Sequence, residues 1–140
     1  MRRASASSPE ISKRMQLLKR AGTHIERDVG SEIWRRGLRY RKNVKSLAGS
    51  PDFANRARKW AVFVNGCFWH HHTGCRRATI PKANREFWVD KFQRNRRRDA
   101  NAILSLRRKG YRVIVIWECQ KDRLGAKLDQ IFEARGVDSR

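Results

Sequence analysis

The chain has 140 residues and carries 34 lysines and arginines against 13 aspartates and glutamates, a formal net charge of +21 at pH 7. A chain of this length forms one domain with a buried core, and a charge this large repels itself unless anions neutralise it. The composition therefore favours a nucleic-acid partner. A ribosomal-type protein is an alternative, whereas a membrane-surface binder is disfavoured because the basic residues are spread along the whole chain.

The sequence carries no targeting signal that we can identify, and its cysteines point to a reducing compartment. Residues 1–10 are basic and rich in serine but lack the apolar segment of a signal peptide. Apolar runs such as 113–117 are far too short to span a bilayer. The cysteine count, 3, is odd, which argues against a closed disulfide framework. We therefore expect a protein of the reducing cytoplasm, where cysteine and histidine clusters hold metal more often than they form disulfides.

Two helices are predicted before the first strand. Residues 1–9 are expected to form a basic arm, and apolar residues at helical spacing predict a short helix over 10–18. Thr23 and Glu26 fit the N-cap and N3 positions of a capping box, which predicts a second helix over 23–36. Its buried stripe is predicted to contain Ile25, Val29 and Ile33, with Trp34 as a further candidate.

The remaining elements alternate strands with helices. Strands are expected over 38–44, 52–54, 60–64 and 111–117, and helices over 85–109 and 124–134. The run over 60–64 is apolar throughout, as in a central strand that is buried on both faces. The long helix is expected to bury Trp88, Phe92, Ile103 and Leu104, and the last helix Leu124, Leu128, Ile131 and Phe132. This order predicts the α/β class, with a mixed central sheet flanked by helices.

Residues 65–75 concentrate the metal-binding side chains of the chain. Cys67, His72 and Cys75 lie within nine residues of one another, and Gly74 permits a tight turn between the last two. Cys119 follows the second buried strand, so parallel pairing of 60–64 with 111–117 would bring it to the same sheet end. The four residues then form a Cys₃His set, which is common in structural zinc sites. The alternative is three ordinary buried cysteines beside a solvated run of histidines.

Few carboxylates are available to hold a catalytic divalent metal, which phosphodiester hydrolysis requires. Asp52 is the best candidate because it opens a strand beside the predicted central strand. The alternative role of Asp52 is structural, because a Pro-Asp pair often forms a turn. The alternative role of Glu26 is to cap the predicted helix. Glu118, which follows the predicted strand over 111–117, is the main alternative carboxylate for holding the metal.

Long and unusual motifs resemble a known family. They are Gly66-Cys67-Phe68-Trp69-His70 with the following His72 and Cys75, Arg85-Glu86-Phe87-Trp88, and Val115-Ile116-Trp117-Glu118-Cys119. From about residue 12 to residue 119 the chain resembles the very short patch repair (Vsr) DNA mismatch endonucleases. The resemblance implies a restriction-endonuclease-like fold and an enzyme that nicks DNA beside a T:G mismatch with the help of magnesium.

The resemblance also implies roles for particular residues. Asp52 and the backbone carbonyl of Val64 would bind Mg²⁺, Glu26 would orient metal-bound water, and His70 would act as general base or acid. The structural Zn²⁺ would be held by Cys67, His72, Cys75 and Cys119, the set that the spacing also suggests. Phe68, Trp69 and Trp88 would form a wedge that inserts into DNA beside the mismatch. The zinc-fixed loop would present Phe68 and Trp69 outward, and core packing is the alternative for all three residues.

One position departs from the family pattern, because Asn65 stands where relatives often carry a histidine. Asparagine hydrogen-bonds but does not carry a proton near neutral pH, which leaves His70 as the main proton carrier. We expect three parts within one domain: an N-terminal arm with a short helix over 1–20, an endonuclease core over 21–121, and a C-terminal helix and tail over 122–140. A monomer is expected, because one strand cut needs one active site.

Three functions remain open at the level of sequence. The first is a magnesium-dependent, zinc-stabilised endonuclease that nicks mismatched duplex DNA. The second is a nicking or restriction nuclease of the same fold with a different target. The third is a non-catalytic, zinc-containing DNA-binding module, in which Asp52, Glu26 and His70 are dispensable.

Overall fold

The fold was determined as a computed structural model that describes residues 24–133. Its elements in chain order are α1 (24–35), β1 (Arg41–Lys42), β2 (Phe53–Asn55), β3 (Trp60–Asn65), α2 (Arg85–Arg108), β4 (Arg112–Trp117), a 3-10 helix (Glu118–Arg123) and α3 (Leu124–Glu133). The predicted arm, the helix over 10–18, the N-cap Thr23, residue 134 and the side chain of Phe132 lie outside the described part of the chain.

The four strands form one mixed sheet in the order β1-β2-β3-β4. The first three strands pair antiparallel, whereas β3 and β4 pair parallel, with α2 as the connection between them. The parallel register runs from Trp60 opposite Arg112 to Asn65 opposite Trp117. The predicted α/β class is thus confirmed, as is the pairing that brings the ends of these two strands together.

Side chains alternate across β3 and β4, so each face of the sheet has its own core. On one face, Trp60, Val62, Ile114 and Ile116 pack with residues of α1 and α3. That core comprises Ile25, Val29, Ile33, Leu38, Phe53, Trp60, Val62, Ile114, Ile116, Leu128 and Ile131. On the other face, Ala61 and Val113 pack with Leu47, Ala54 and Leu106. The sheet is therefore covered by α1 and α3 on one side and by α2 on the other.

Two predicted core residues lie outside the core. Trp34 is 70% exposed, because the stripe of Ile25, Val29 and Ile33 already faces the sheet and the next residue is rotated by about 100° around the helix. Leu104 is 47% exposed, because Ala102 and Leu106 take the buried face and a residue midway between them points away.

The predicted strand over 38–44 is much shorter than expected. Only Arg41–Lys42 pairs with β2, and Asn43 then adopts a left-handed backbone with φ of 49°. Leu38 is buried as predicted, but it packs into the core shared with α1 rather than in a strand. None of the helices over residues 24–133 has the length and apolar character that a membrane span requires.

Candidate active site and metal centre

The candidate site lies at the carboxyl ends of the two parallel strands. Asn65 ends β3 and is paired with Trp117, which ends β4. Residues 66–78 follow β3, and Glu118 and Cys119 follow β4, so both chain segments meet at this end of the sheet. Ligand sites favour such strand ends in α/β sheets.

The four predicted zinc ligands are gathered there. One ligand atom from each of Cys67, His72, Cys75 and Cys119 lies within 4.8 Å of all the others. His72 Nδ1 is 3.7 Å from Cys67 Sγ and 3.4 Å from Cys119 Sγ. In tetrahedral zinc sites the sulfur and nitrogen ligands are separated by about 3.5–3.8 Å, so these distances fit one shared metal ion.

Local backbone bonds fold the loop around this cluster. The backbone N–H of His72 donates to the Cys67 carbonyl at 2.9 Å, and that of Cys75 donates to the His72 carbonyl at 3.1 Å. Gly74 has φ of 78°, a conformation that glycine adopts at little cost. Glu118 fixes the start of the loop, because its buried Oε1 accepts a hydrogen bond from the Cys67 N–H at 3.1 Å. Glu118 therefore supports the cysteine loop.

The protonation of the cluster also fits a metal. Burial raises the pKa of the Cys67 thiol, so without a cation it stays protonated. Burial and then the charge of Lys127 lower the pKa of His72, which keeps its imidazole neutral. The His72 ring stacks on Trp117 at 4.0 Å and 5°. A cation would favour the thiolate, and a neutral, oriented imidazole is the form that ligates metal. The cluster can therefore hold a metal ion.

A pair of carboxylates forms the second part of the site. Asp52 Oδ2 accepts a hydrogen bond from the backbone N–H of Val64 at 2.7 Å, and its carboxyl group is also hydrogen-bonded to Glu26. The pair arises because α1 presents Glu26 to the sheet and Asp52 immediately precedes β2, which pairs with β3. The structure thus brings together Glu26, Asp52 and the Val64 backbone.

Burial, and then the hydrogen bond and charge of Glu26, raise the pKa of Asp52 to about 7. Two carboxylates placed together away from water repel each other, and one of them holds its proton unless a cation lies between them. Hard divalent cations prefer carboxylate and carbonyl oxygens. The carboxylates of Asp52 and Glu26 therefore fit such a cation.

His70 belongs to a neighbouring set of contacts. Its Nδ1 is 2.5 Å from Asp99 Oδ2 on α2, and its ring lies edge-on to Trp117 at 6.4 Å. Because a carboxylate only accepts hydrogen bonds, Nδ1 carries the hydrogen and Nε2 is left as the basic nitrogen. His70 and Asp99 line a cavity of about 480 Å³ together with Asn65, which is only 6% exposed. Consecutive residues of β3 therefore connect the two sets, since Val64 contacts Asp52 and Asn65 lines the cavity of His70.

Asp99 is a candidate site residue that the sequence did not reveal. It lies in a run of arginines on α2, which suggests a solvated face. The buried side of α2, however, passes through Trp88, Phe92 and Leu106. Asn95 and Asp99 continue that stripe at spacings of three and four residues, and both are partly buried. Polar residues in an otherwise apolar stripe are the signal that would have found Asp99.

The predicted wedge residues are packed together rather than exposed. Phe68 is 1% exposed and Trp88 3% exposed, and both contact Phe92 in a separate aromatic cluster. Trp69 is partly buried against the same cluster, and Asn95 Nδ2 donates to its carbonyl at 3.0 Å. The expectation that Phe68 is presented outward is thus wrong for the DNA-free protein, because α2 supplies an apolar surface that covers it. For Trp88, the structure corresponds to the core alternative.

The fold and the site together define an α/β protein with a Cys/His cluster that could hold a metal ion. Residues 7–77 match the family model described as DNA mismatch endonuclease Vsr. The chain belongs to the Vsr family, as its motifs predicted.

Proteins related to the chain cover most of its length. The type II nicking enzyme V.XorIIP of Xanthomonas oryzae is 39% identical over 112 residues, covering 80% of this chain and 82% of the relative. The type II nicking enzyme V.NmeAIP of Neisseria meningitidis is 44% identical over 105 residues, covering 70% and 74%. The DNA mismatch endonuclease Vsr of Escherichia coli is 38% identical over 108 residues, covering 77% and 69%.

Proposed function

We propose that this protein nicks one strand of duplex DNA beside a T:G mismatch by magnesium-dependent hydrolysis of a phosphodiester bond. It would act as a monomer in the bacterial cytoplasm, on the DNA of the nucleoid. The observation that carries the proposal is that a carboxylate pair contacts the Val64 backbone while a histidine–aspartate pair lines a cavity with the next residue, Asn65. A cation site and a proton carrier near one strand end can together hydrolyse a phosphodiester bond.

Two metal sites are proposed with different donors. Asp52 and the Val64 carbonyl would hold Mg²⁺, with Glu26 orienting metal-bound water, and Cys67, His72, Cys75 and Cys119 would hold Zn²⁺. Bound magnesium supplies Lewis-acid stabilisation of the charge that develops on the scissile phosphate. The zinc set uses four protein ligands, which is typical of structural sites. It would fix the loop that carries His70.

His70 would transfer the proton at the scissile phosphate. The Asp99 carboxylate holds the Nδ1–H at 2.5 Å and so directs Nε2 toward the cavity, where it accepts a proton from the attacking water or returns one. The negative charge of Asp99 also stabilises the imidazolium that forms. Asn65 would take part by hydrogen-bonding the phosphate or the water, since it lines the same cavity.

Phe68, Trp69 and Trp88 would form the wedge after a local rearrangement of the aromatic cluster. Within residues 24–133, the indole N–H groups of Trp69 and Trp88 are buried without a hydrogen-bond partner. Such groups cost free energy, so the packed arrangement gains less than its apolar area implies. Insertion beside a mismatch is favoured because a mismatched step is easier to unstack than a paired one.

The test uses two labelled duplexes that differ only in a T:G or a T:A pair. We expect the zinc-loaded wild-type protein with magnesium to nick only the T:G duplex, on one strand. Nicking of neither duplex by the folded protein would contradict the enzyme proposal and leave a DNA-binding module.

A nicking nuclease with a different target is the second candidate. It is favoured by the names of several relatives, which are type II nicking enzymes. Equal nicking of the T:G and T:A duplexes would support this second candidate over the first.

A further inference from the structure

A groove beside the carboxylate pair has no role in the proposed chemistry. It has a volume of about 610 Å³. One wall is formed by α1, and Tyr40, Lys42 and Phe53 line the rest of the groove. Glu26 lies at one end of the α1 wall and Trp34 at the other. The groove thus begins at a residue of the candidate active site, and its volume is in the range of sites that bind small organic groups.

The α1 wall has a regular construction. Glu26, Gly30 and Trp34 are spaced four residues apart, so they lie on one side of the helix. A Cβ at Gly30 would lie 3.1 Å from the Phe53 ring and 3.3 Å from the Tyr40 hydroxyl, so glycine lets the helix approach the floor of the groove closely. Tyr40 and Phe53 form that floor as an edge-to-face pair with centroids 5.0 Å apart.

Trp34 offers a free ring at the far end of the groove. Its side chain is 70% exposed, unlike the other tryptophans whose burial is given above. Three cations, Arg27, Arg35 and Lys42, line the same groove. A guanidinium nitrogen of Arg35 lies 3.4 Å from a carboxylate oxygen of Glu32, which partly neutralises its charge. The Arg35 side chain is nevertheless largely exposed. An aromatic face beside several cations is the combination by which proteins bind nucleic-acid strands.

We propose that this groove binds a nucleotide of the nicked strand, with its base stacked on Trp34 and its phosphate beside Arg27 and Lys42. The inference rests on the proposed function, since it assumes that Glu26 lies at the scissile phosphate. Glu26 and Trp34 are eight residues apart, about 12 Å along the helix axis. This distance corresponds to roughly three or four nucleotides of a B-form strand. Trp34 is therefore a positioning residue for the strand.

The first measurement is a photocross-linking scan. Single 5-iodouracil bases are placed at each of the positions on both sides of the nick site in a T:G duplex, which is bound to wild-type protein without magnesium. We expect one position, about three or four nucleotides from the nick, to cross-link to Trp34. The absence of any cross-link to Trp34 would overturn the inference.

The second measurement separates strand binding from chemistry. Trp34→Ala is expected to raise KM for the T:G duplex about tenfold with little change in kcat, because it removes one base-stacking contact. Trp34→Phe should restore most of the affinity, and Leu104→Ala, a truncation of another exposed apolar side chain, should change neither constant. If wild type nicks the T:G duplex and Trp34→Ala behaves like Leu104→Ala, only the groove proposal fails. If wild type nicks nothing, the proposed function fails and the groove proposal fails with it.

Discussion

The contact between His70 and Asp99 determines which nitrogen of the imidazole is basic. Hydrogen bonding at Nδ1 selects the tautomer in which Nε2 is unprotonated. Catalysis by the pair should therefore depend on His70 for the proton and on Asp99 for orientation and charge.

We predict that His70→Ala lowers the single-turnover nicking rate by about 10²–10⁴-fold, the usual contribution of a general acid or base. Asp99→Asn should cause a smaller loss. Asp90→Asn is the matched control, because Asp90 is an exposed carboxylate on the same helix that pairs with Arg94. A rate for Asp99→Asn equal to that of Asp90→Asn would exclude a role for the His70–Asp99 contact.

The Asp52–Glu26 pair should also affect stability when magnesium is absent. Burial and Glu26 raise the pKa of Asp52 from 3.8 to about 7, so the folded protein binds a proton there that the unfolded chain releases at lower pH. This contribution to the free energy of unfolding is complete below pH 4 and is lost as the pH rises to about 7. We predict that Asp52→Asn reduces this decline, measured by urea unfolding at pH 5, 6 and 7.5. Parallel pH profiles for the two proteins would show that the pKa of Asp52 is not raised in the folded protein.

At the scale of elements, one loop and one 3-10 helix, each following a strand end, build the candidate metal centre. Cys67, His72 and Cys75 come from the loop after β3, whereas Cys119 comes from the start of the 3-10 helix after β4. The metal would therefore join segments that are about fifty residues apart in the chain. Such a crosslink stabilises the fold because the unfolded chain does not offer the preformed site.

We predict that Cys119→Ser lowers the zinc content and the free energy of unfolding together, the latter by about 3 kcal/mol or more. Thr73→Ala is the control, because Thr73 is exposed within the same loop and contributes no ligand atom. The measurements are metal analysis and chemical denaturation. Full stability in a zinc-free Cys119→Ser protein would rule out a structural metal.

The aromatic cluster at the start of α2 supports a prediction about selectivity. Trp69 is the partly buried member, so its truncation disturbs the core less than truncation of Phe68 or Trp88. We predict that Trp69→Ala lowers the preference for T:G over T:A duplexes about tenfold while salt-sensitive binding changes little. Binding assays on both duplexes at several salt concentrations measure this. An equal loss of affinity for both duplexes would argue against a wedge.

Sequence patterns predicted the strands whose residues are buried on both faces. They did not predict the burial of residues that depends on contacts between distant elements. The apolar runs that became β3 and β4 were identified, and with them the meeting point of Cys67 and Cys119. The register between the strands depends on tertiary pairing and was not predicted. Asp99 was missed because a carboxylate among arginines on a helix looks solvated. Phe68 was predicted to be exposed, because the sequence does not show which surface α2 presents to the loop.

At the scale of the whole molecule, the net charge and the candidate site are both consistent with a protein that binds and cuts DNA. A net charge of +21 favours binding to a polyanion, and the arginines of α2 at positions 94 and 96–98 are exposed. Such contacts hold the DNA backbone but carry no base information. Cleavage would then come from the strand end where Asp52, Glu26 and His70 lie. With magnesium bound, the carboxylate pair would cut mismatched DNA.

The most direct test is the single-turnover nicking of a T:G duplex as a function of magnesium concentration, with wild-type protein and Asp52→Ala. We predict that wild type nicks one strand with saturable dependence on magnesium, and that Asp52→Ala binds the duplex but nicks it at least about 10³-fold more slowly. Nicking by Asp52→Ala at the wild-type rate, or by wild type without any divalent cation, would contradict the account.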